Sequence, residues 1–98
     1  MRSNAEADFS EDLEAVLDDV RSMLLAKNAA YGDSALSPVR VFSRASAEEQ
    51  IRVRLDDKLS RLARGSEAGE DVVHDLLGYL VLLKIARLRR ARAAGGAA

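Results

Sequence analysis

From Leu13 to Leu24 the apolar residues fall at Leu13, Val16, Leu17, Val20, Met23 and Leu24, close to the helical repeat of about 3.6 residues. Ser10, just ahead, is a good N-cap, and Glu11, Asp12 and Glu14 occupy the first turns, where the helix dipole favours negative charge. This spacing predicts a first helix from Ser10 to about Asn28, stopped by Gly32. A second helix starts at Ser46, because Ser46-Ala47-Glu48-Glu49 has the form of a capping box. Its buried stripe is Ile51, Leu55, Leu59 and Leu62 with Val53 on the flank, and Gly65 ends it before a polar turn from Ser66 to Gly69. A third helix is expected from about Glu70 to Arg92. Leu76, Leu77, Leu80, Val81, Leu82 and Leu83 surround much of its circumference.

Between the first two helices, from Asp33 to Ala45, the repeat breaks. Ser37-Pro38 forces an extended or turn conformation, and Pro38 can open a short helical turn carrying Val39, Val41 and Phe42 as apolar anchors. Such a connector is long enough to serve as a lid or a site wall. No strand pattern and no internal repeat are visible. The expected fold is all-α, a small helical bundle of three main helices. Three helices offer too few neighbours to cover a helix that is apolar nearly all round, so homo-oligomerisation is expected to complete the bundle. The domain reading is a flexible N-terminus over 1–9, a single helical domain over 10–92 and a disordered tail over 93–98.

At 98 residues the chain is one small domain whose stability depends on good packing or on association. It has no cysteine, hence no disulfide framework and no thiolate metal site. Met1 to Asp8 is polar and acidic, unlike a secretory signal, and the apolar run Leu76 to Leu83 is too short to span a bilayer. A cytoplasmic protein with no membrane partner is the expectation. Net charge is −1, unevenly spread: residues 1–30 carry seven acids and three bases, and residues 31–98 nine acids and twelve bases. That balance argues against a general nucleic-acid binder. The basic run Lys84, Arg87, Arg89, Arg90 and Arg92 fits a helix C-terminus, where cations are favourable, and no aromatic platform is interleaved with it.

Candidate chemistry gathers in three stretches. Asp71 and Asp75 stand one turn apart on one helix face, a like-charge pair that costs an isolated helix about 0.2–0.5 kcal/mol. Paired carboxylates on an open cavity suit Mg²⁺, which takes oxygen ligands and completes its shell with water and phosphate. Glu70 and Asp71 are equally well explained as acids at a helix N-terminus. On the second helix Asp57 and Arg61, and Arg54 and Lys58, are four residues apart. They form either an ordinary ion-paired surface or a site, with Asp57 on a metal and Lys58 and Arg61 on phosphate. Lys27 and Tyr31 close the first helix, either as a dipole partner and a packing ring or as a phosphate ligand and a base-stacking ring.

Taken in order, Lys27-Asn28-x-x-Tyr31-Gly32-Asp33, Arg54-x-x-Asp57-Lys58-x-x-Arg61-Leu62 and Asp71-x-x-x-Asp75-Leu76-x-x-Tyr79 resemble the nucleotide modification associated domain 1 family. These small all-helical proteins of phages and bacteria are similar to the MazG-like nucleoside triphosphate pyrophosphatases. The resemblance covers roughly Leu13 to Ile85. It implies an oligomeric helical bundle that holds Mg²⁺ against the phosphates of a nucleotide and hydrolyses it to a monophosphate and pyrophosphate. Mapped onto this chain, Asp57, Asp71 and Asp75 would be metal ligands, and Glu70 or Asp56 a fourth acid or the base for water. Lys27, Lys58 and Arg61 would neutralise phosphate, and Tyr31 and Tyr79 would line the pocket. Two departures are visible: Arg52 stands where a third acid should follow Glu48-Glu49, and His74 stands three residues after Asp71. The alternative is therefore a non-catalytic nucleotide-binding, sequestering or interaction module on the same helices.

Overall fold

The computed structural model describes residues 4–65 and 69–95. The chain is all-helical, with α1 (Asn4–Tyr31), α2 (Ala47–Arg64) and α3 (Val72–Ala93) in that order. Among the described residues there is no strand.

α1 is longer than its periodicity suggested. It begins at Asn4 and runs through Ser10, which is therefore not its N-cap, and it continues past Asn28 to Tyr31. The extension has a local cause, since Ala5, Glu6 and Ala7 ahead of Ser10 and Ala29-Ala30 behind Asn28 offer nothing that breaks a helix. Gly32 stops α1 as expected, with φ 63°, a left-handed conformation that costs glycine little. Residues 4–9 of the expected flexible N-terminus are thus helical, whereas 1–3 lie outside the described residues.

α2 starts where the capping motif put it. The Ser46 hydroxyl accepts from the Glu49 N–H at 3.1 Å, and Gly65 at φ 68° closes the helix through its N–H to the carbonyls of Arg61 and Leu62. The turn expected from Ser66 to Gly69 falls largely on residues 66–68, outside the described residues. α3 starts at Val72, two residues later than expected. Asp71 is its N-cap, with a carboxylate oxygen accepting from the His74 N–H at 3.0 Å. The helix reaches Ala93; of the expected tail, 96–98 lie outside the described residues.

α2 and α3 pack as an antiparallel hairpin around Ile51, Leu83 and Ala86, with Leu36, Leu55, Tyr79 and Leu82 against them. Val72 is fully buried at the start of α3. A cross-helix ion pair closes the far end, where the buried Glu48 receives Arg90 at 3.2 Å and Arg52 at 3.6 Å. The stripe on α2 fades with distance from this core: Ile51 is buried and Leu55 half-buried, but Leu59 and Leu62 are exposed. Among the described helices α1 packs on α3 and not on α2. The approach is close at Gly78, where an added Cβ would lie 2.6 Å from the Met23 methyl. Val20 is the one buried residue of α1. The connector differs from expectation as well. Val39, Val41 and Phe42 are not anchors, and Phe42 is 101 % exposed. The turn forms earlier, with the Leu36 and Ser37 N–H groups donating to the Asp33 carbonyl at 3.0 and 2.7 Å, and Leu36 is the residue that reaches the core.

The result is open rather than round. The radius of gyration is 16.4 Å, with extents of 53 × 42 × 24 Å, against about 13 Å for a compact chain of this length. No helix among the described residues is long and apolar enough to cross a membrane.

Candidate functional site

Antiparallel pairing of α2 and α3 brings the Asp57–Arg61 segment beside the start of α3, and α1 delivers Lys27 to the same place. Six charges then alternate in a continuous ladder. Lys27 Nζ lies 3.9 Å from Asp75 Oδ1, and Asp75 Oδ2 lies 3.2 Å from Lys58 Nζ. Lys58 Nζ donates to Glu70 Oε2 at 3.3 Å, and Glu70 accepts from Arg61 Nη1 on both oxygens at 2.7 and 3.0 Å. Arg61 Nη2 reaches Asp57 Oδ2 at 3.2 Å. Lys58, the central cation, is 14 % exposed; the ladder ends are open to solvent.

Charge pairing shifts the titration of its members. Burial pushes the Lys58 ammonium down, but its hydrogen bonds to Asp75 and then Glu70 outweigh this and hold it above its ordinary value. Hydrogen bonds from Arg61 first and Lys58 second hold the Glu70 carboxyl below the usual range. The Glu70 hydrogen bond in turn raises Arg61, aided by the Asp57 charge. Lys58, Glu70 and Arg61 thus hold one another in the charged form.

Beside the ladder lies an open cleft of about 620 Å³ between the end of α1, the connector turn, and the faces of α2 and α3. Of the residues nominated from sequence, Lys27, Tyr31, Asp75 and Tyr79 line it. Lys58, Arg61, Asp57 and Glu70 stand behind Asp75 in the ladder and do not. Asp71 caps α3 with its carboxylate, and Asp56 is exposed, off the cleft, with no ion pair or hydrogen bond among the described residues. Tyr31 is 72 % exposed, a ring presented at the rim, whereas Tyr79 is half-buried against the core.

Three contributors were given no site role from sequence, although Arg54 and Asp33 stand in its motifs. Arg54 lines the cleft and has no ion pair among the described residues, and Gln50 lines it one turn earlier. The unused signal was the i, i+4 relation of Gln50 to Arg54, which extends the Arg54–Lys58 face of α2 by one turn. The third is Asp33, which ties the connector down: it accepts from Asn28 Nδ2 at 3.0 Å and pairs with Arg89 Nη1 at 2.5 Å. These two hydrogen bonds, Arg89's first, hold the Asp33 carboxyl below its ordinary value.

The three carboxylates nominated for Mg²⁺ do not converge on one point in this arrangement. Asp57, Asp71 and Asp75 are parted among an arginine, a helix cap and two lysines, and among the described residues no group of three or more His, Asp or Glu could hold a metal ion. A hard divalent cation needs several oxygen ligands converging on one point, and here each carboxylate already faces a cation or an N–H. In comparison with known proteins, no family model, no curated protein and no solved structure matches this chain.

Proposed function

We propose that this chain is a self-associating helical protein that binds a nucleotide in the cleft and holds it without hydrolysing it. The observation that carries the binding is the cleft's composition. It has a volume in the range of small-molecule sites, roughly 300–1,000 Å³, an exposed tyrosine at the rim, amide side chains at Asn28 and Gln50, two cations, Lys27 and Arg54, and two carboxylates, Asp33 and Asp75, each already paired with a cation, Arg89 or Lys58. Arg54 presents a planar fork suited to a phosphate and has no ion pair among the described residues. Lys27 is held by the longest link of the ladder and is the easiest member to turn toward a ligand. In this reading Lys27 and Arg54 take the phosphate, and Tyr31 stacks on the base, with Tyr79 as floor. The motif resemblance to nucleotide-handling helical proteins supports the ligand class.

Binding is preferred over pyrophosphohydrolysis because neither nominated acid stands free at the cleft. Glu70 is bridged to Arg61 and Lys58, and Asp56 is exposed and does not line the cleft, so neither is placed as a base. Self-association is supported by the apolar surface left uncovered on α1 and α3.

A thermal melt of the purified chain with nucleoside mono-, di- and triphosphates, with and without Mg²⁺, tests the site, because a ligand that binds the folded state alone must raise the melting temperature. The expected outcome is a nucleotide-dependent rise without Mg²⁺, lost in Arg54→Ala and reduced in Lys27→Ala. No rise with any nucleotide overturns the binding reading. A rise that needs Mg²⁺ and is accompanied by pyrophosphate release replaces it with the hydrolase reading.

A further inference from the structure

We infer that two copies of this chain associate by laying the N-terminal half of α1 of one copy along the outer face of the C-terminal half of α3 of the other, twice, about a two-fold axis. The inference rests on the self-association part of the proposed function and assigns its seam.

Three observations carry it. The first is area. The chain exposes 7,506 Å², whereas a compact monomer of its mass exposes about 5,500 Å². The excess is of the size each subunit of an obligate dimer buries, about 1,000–2,500 Å². The second is where that excess lies. On α1, Phe9, Leu13, Val16 and Leu17 continue the stripe that buries Val20, yet all four are exposed. On α3, one face meets α2 and a second meets α1. Val73, Leu77, Leu80, Val81 and Leu88 form a third helical stripe, exposed along its length. A shallow apolar groove bounded by Lys84 and Arg87 runs over Val81, Ile85 and Leu88.

The third observation is charge, and it selects the partner. From Asn4 to Asp19, α1 carries seven acids and no base, and from Lys84 to Arg92, α3 carries five bases and no acid. Among the described residues no ion pair joins the acids from Asp8 to Asp19 to these bases: Arg89 and Arg90 pair with Asp33 and Glu48, and Lys84, Arg87 and Arg92 have no ion pair among the described residues. By helical spacing Asp12 and Asp19 flank one side of the α1 stripe and Glu14 the other. A second α1 docked on α1 would set acid against acid, and α3 on α3 base against base. α1 on α3 of another copy matches both apolar stripe and charge, and it favours the basic end of α3 over the acidic start near Asp71 and Asp75. The same acids disfavour an anionic membrane surface as the cover for α1.

The test is the mass in solution of the full chain by light scattering or sedimentation across a concentration series. The expected result is a dimer of twice the 10.6 kDa chain, dissociated by Leu17→Glu, which sits on an exposed turn of α1 and leaves far-UV helicity unchanged. Asp12→Arg with Asp19→Arg, and Lys84→Glu with Arg87→Glu, each raise the dimer dissociation constant by at least about tenfold, and combining all four restores it. A monomeric wild-type chain overturns self-association and the seam together. A dimer indifferent to Leu17→Glu and to both charge reversals overturns the seam and leaves self-association standing. Charge reversals that weaken the dimer without mutual rescue overturn the pairing of α1 with α3.

Discussion

The two halves of α1 carry the same apolar repeat and meet opposite fates. Val20, Met23 and Leu24 settle on α3 beside Gly78, where a missing side chain lets the helices approach. Phe9, Leu13, Val16 and Leu17, one to three turns earlier on the same stripe, are exposed. Nothing in their spacing separates them. What separates them is whether the chain supplies a facing surface, and it does so at Gly78 and not beyond. Periodicity names the face of a helix that wants burial; the connectivity of the remaining elements decides whether one copy can provide it.

The contrast is broken or sharpened most strongly in the α2–α3 core. Ile51→Ala removes a buried side chain between the two helices and is expected to cost about 2–5 kcal/mol, enough to unfold so small a domain in a denaturant titration. Leu13→Ala, at the same kind of sequence position but on the uncovered half of α1, should cost the monomer under about 0.5 kcal/mol. A loss at Leu13 as large as at Ile51 would mean that the free half of α1 is covered. Next in size is Asp71→Ala, which removes the N-cap of α3 and should lower stability by about 1 kcal/mol, with Asp71→Asn or Asp71→Ser restoring most of it. If Asp71 instead ligates a metal, the asparagine variant would keep the stability and lose a Mg²⁺-dependent shift.

Smaller effects probe the crossing and the ladder. Gly78→Ala gains helix propensity of about 0.5–1 kcal/mol. Against this, Met23, a flexible side chain, must move off a Cβ that would lie 2.6 Å away, so the net change in melting should be under about 1 kcal/mol. A large loss would show that Met23 has nowhere to go. The smallest is a pH effect. Because Glu70 has a lowered pKa in the folded chain, it adds stability above its ordinary value of 4.5 that is lost as pH falls through the folded value. Wild type minus Glu70→Gln should therefore show a stability difference that shrinks on acidification below pH 4.5. A flat difference would mean that the Arg61–Glu70 pair does not persist in solution.

Much of the fold was legible because its signals are local. Ser46, Gly65 and Gly32 act where their residue types put them, and three helices follow from repeat and caps. Asp71 was ambiguous for a physical reason: the same short carboxylate serves an N-cap and a metal, and sequence alone does not say which N–H is near. The ladder was half legible. Asp57–Arg61 is an i, i+4 pair visible in the sequence, but Lys58–Glu70 and Lys58–Asp75 depend on the register of the α2–α3 hairpin, and Lys27–Asp75 on where α1 crosses. Cation–acid pairing across that register is why residues nominated for two different ligands neutralise one another. Arg54 stood in the second motif without a role, because its value lies in lacking a partner, which no motif records.

The even number of charges in the ladder has its own consequence. Three cations and three anions in alternation sum to zero, so the site exerts little pull on either sign of small ion while complete. Parity makes it switchable: deleting any one member leaves an odd set with a unit charge uncovered. Asp57→Asn would leave a surplus cation at the Arg61 end, and Lys27→Met a surplus anion at the Asp75 end. A single neutral substitution thus sets whether this end of the molecule prefers a passing anion or a passing cation.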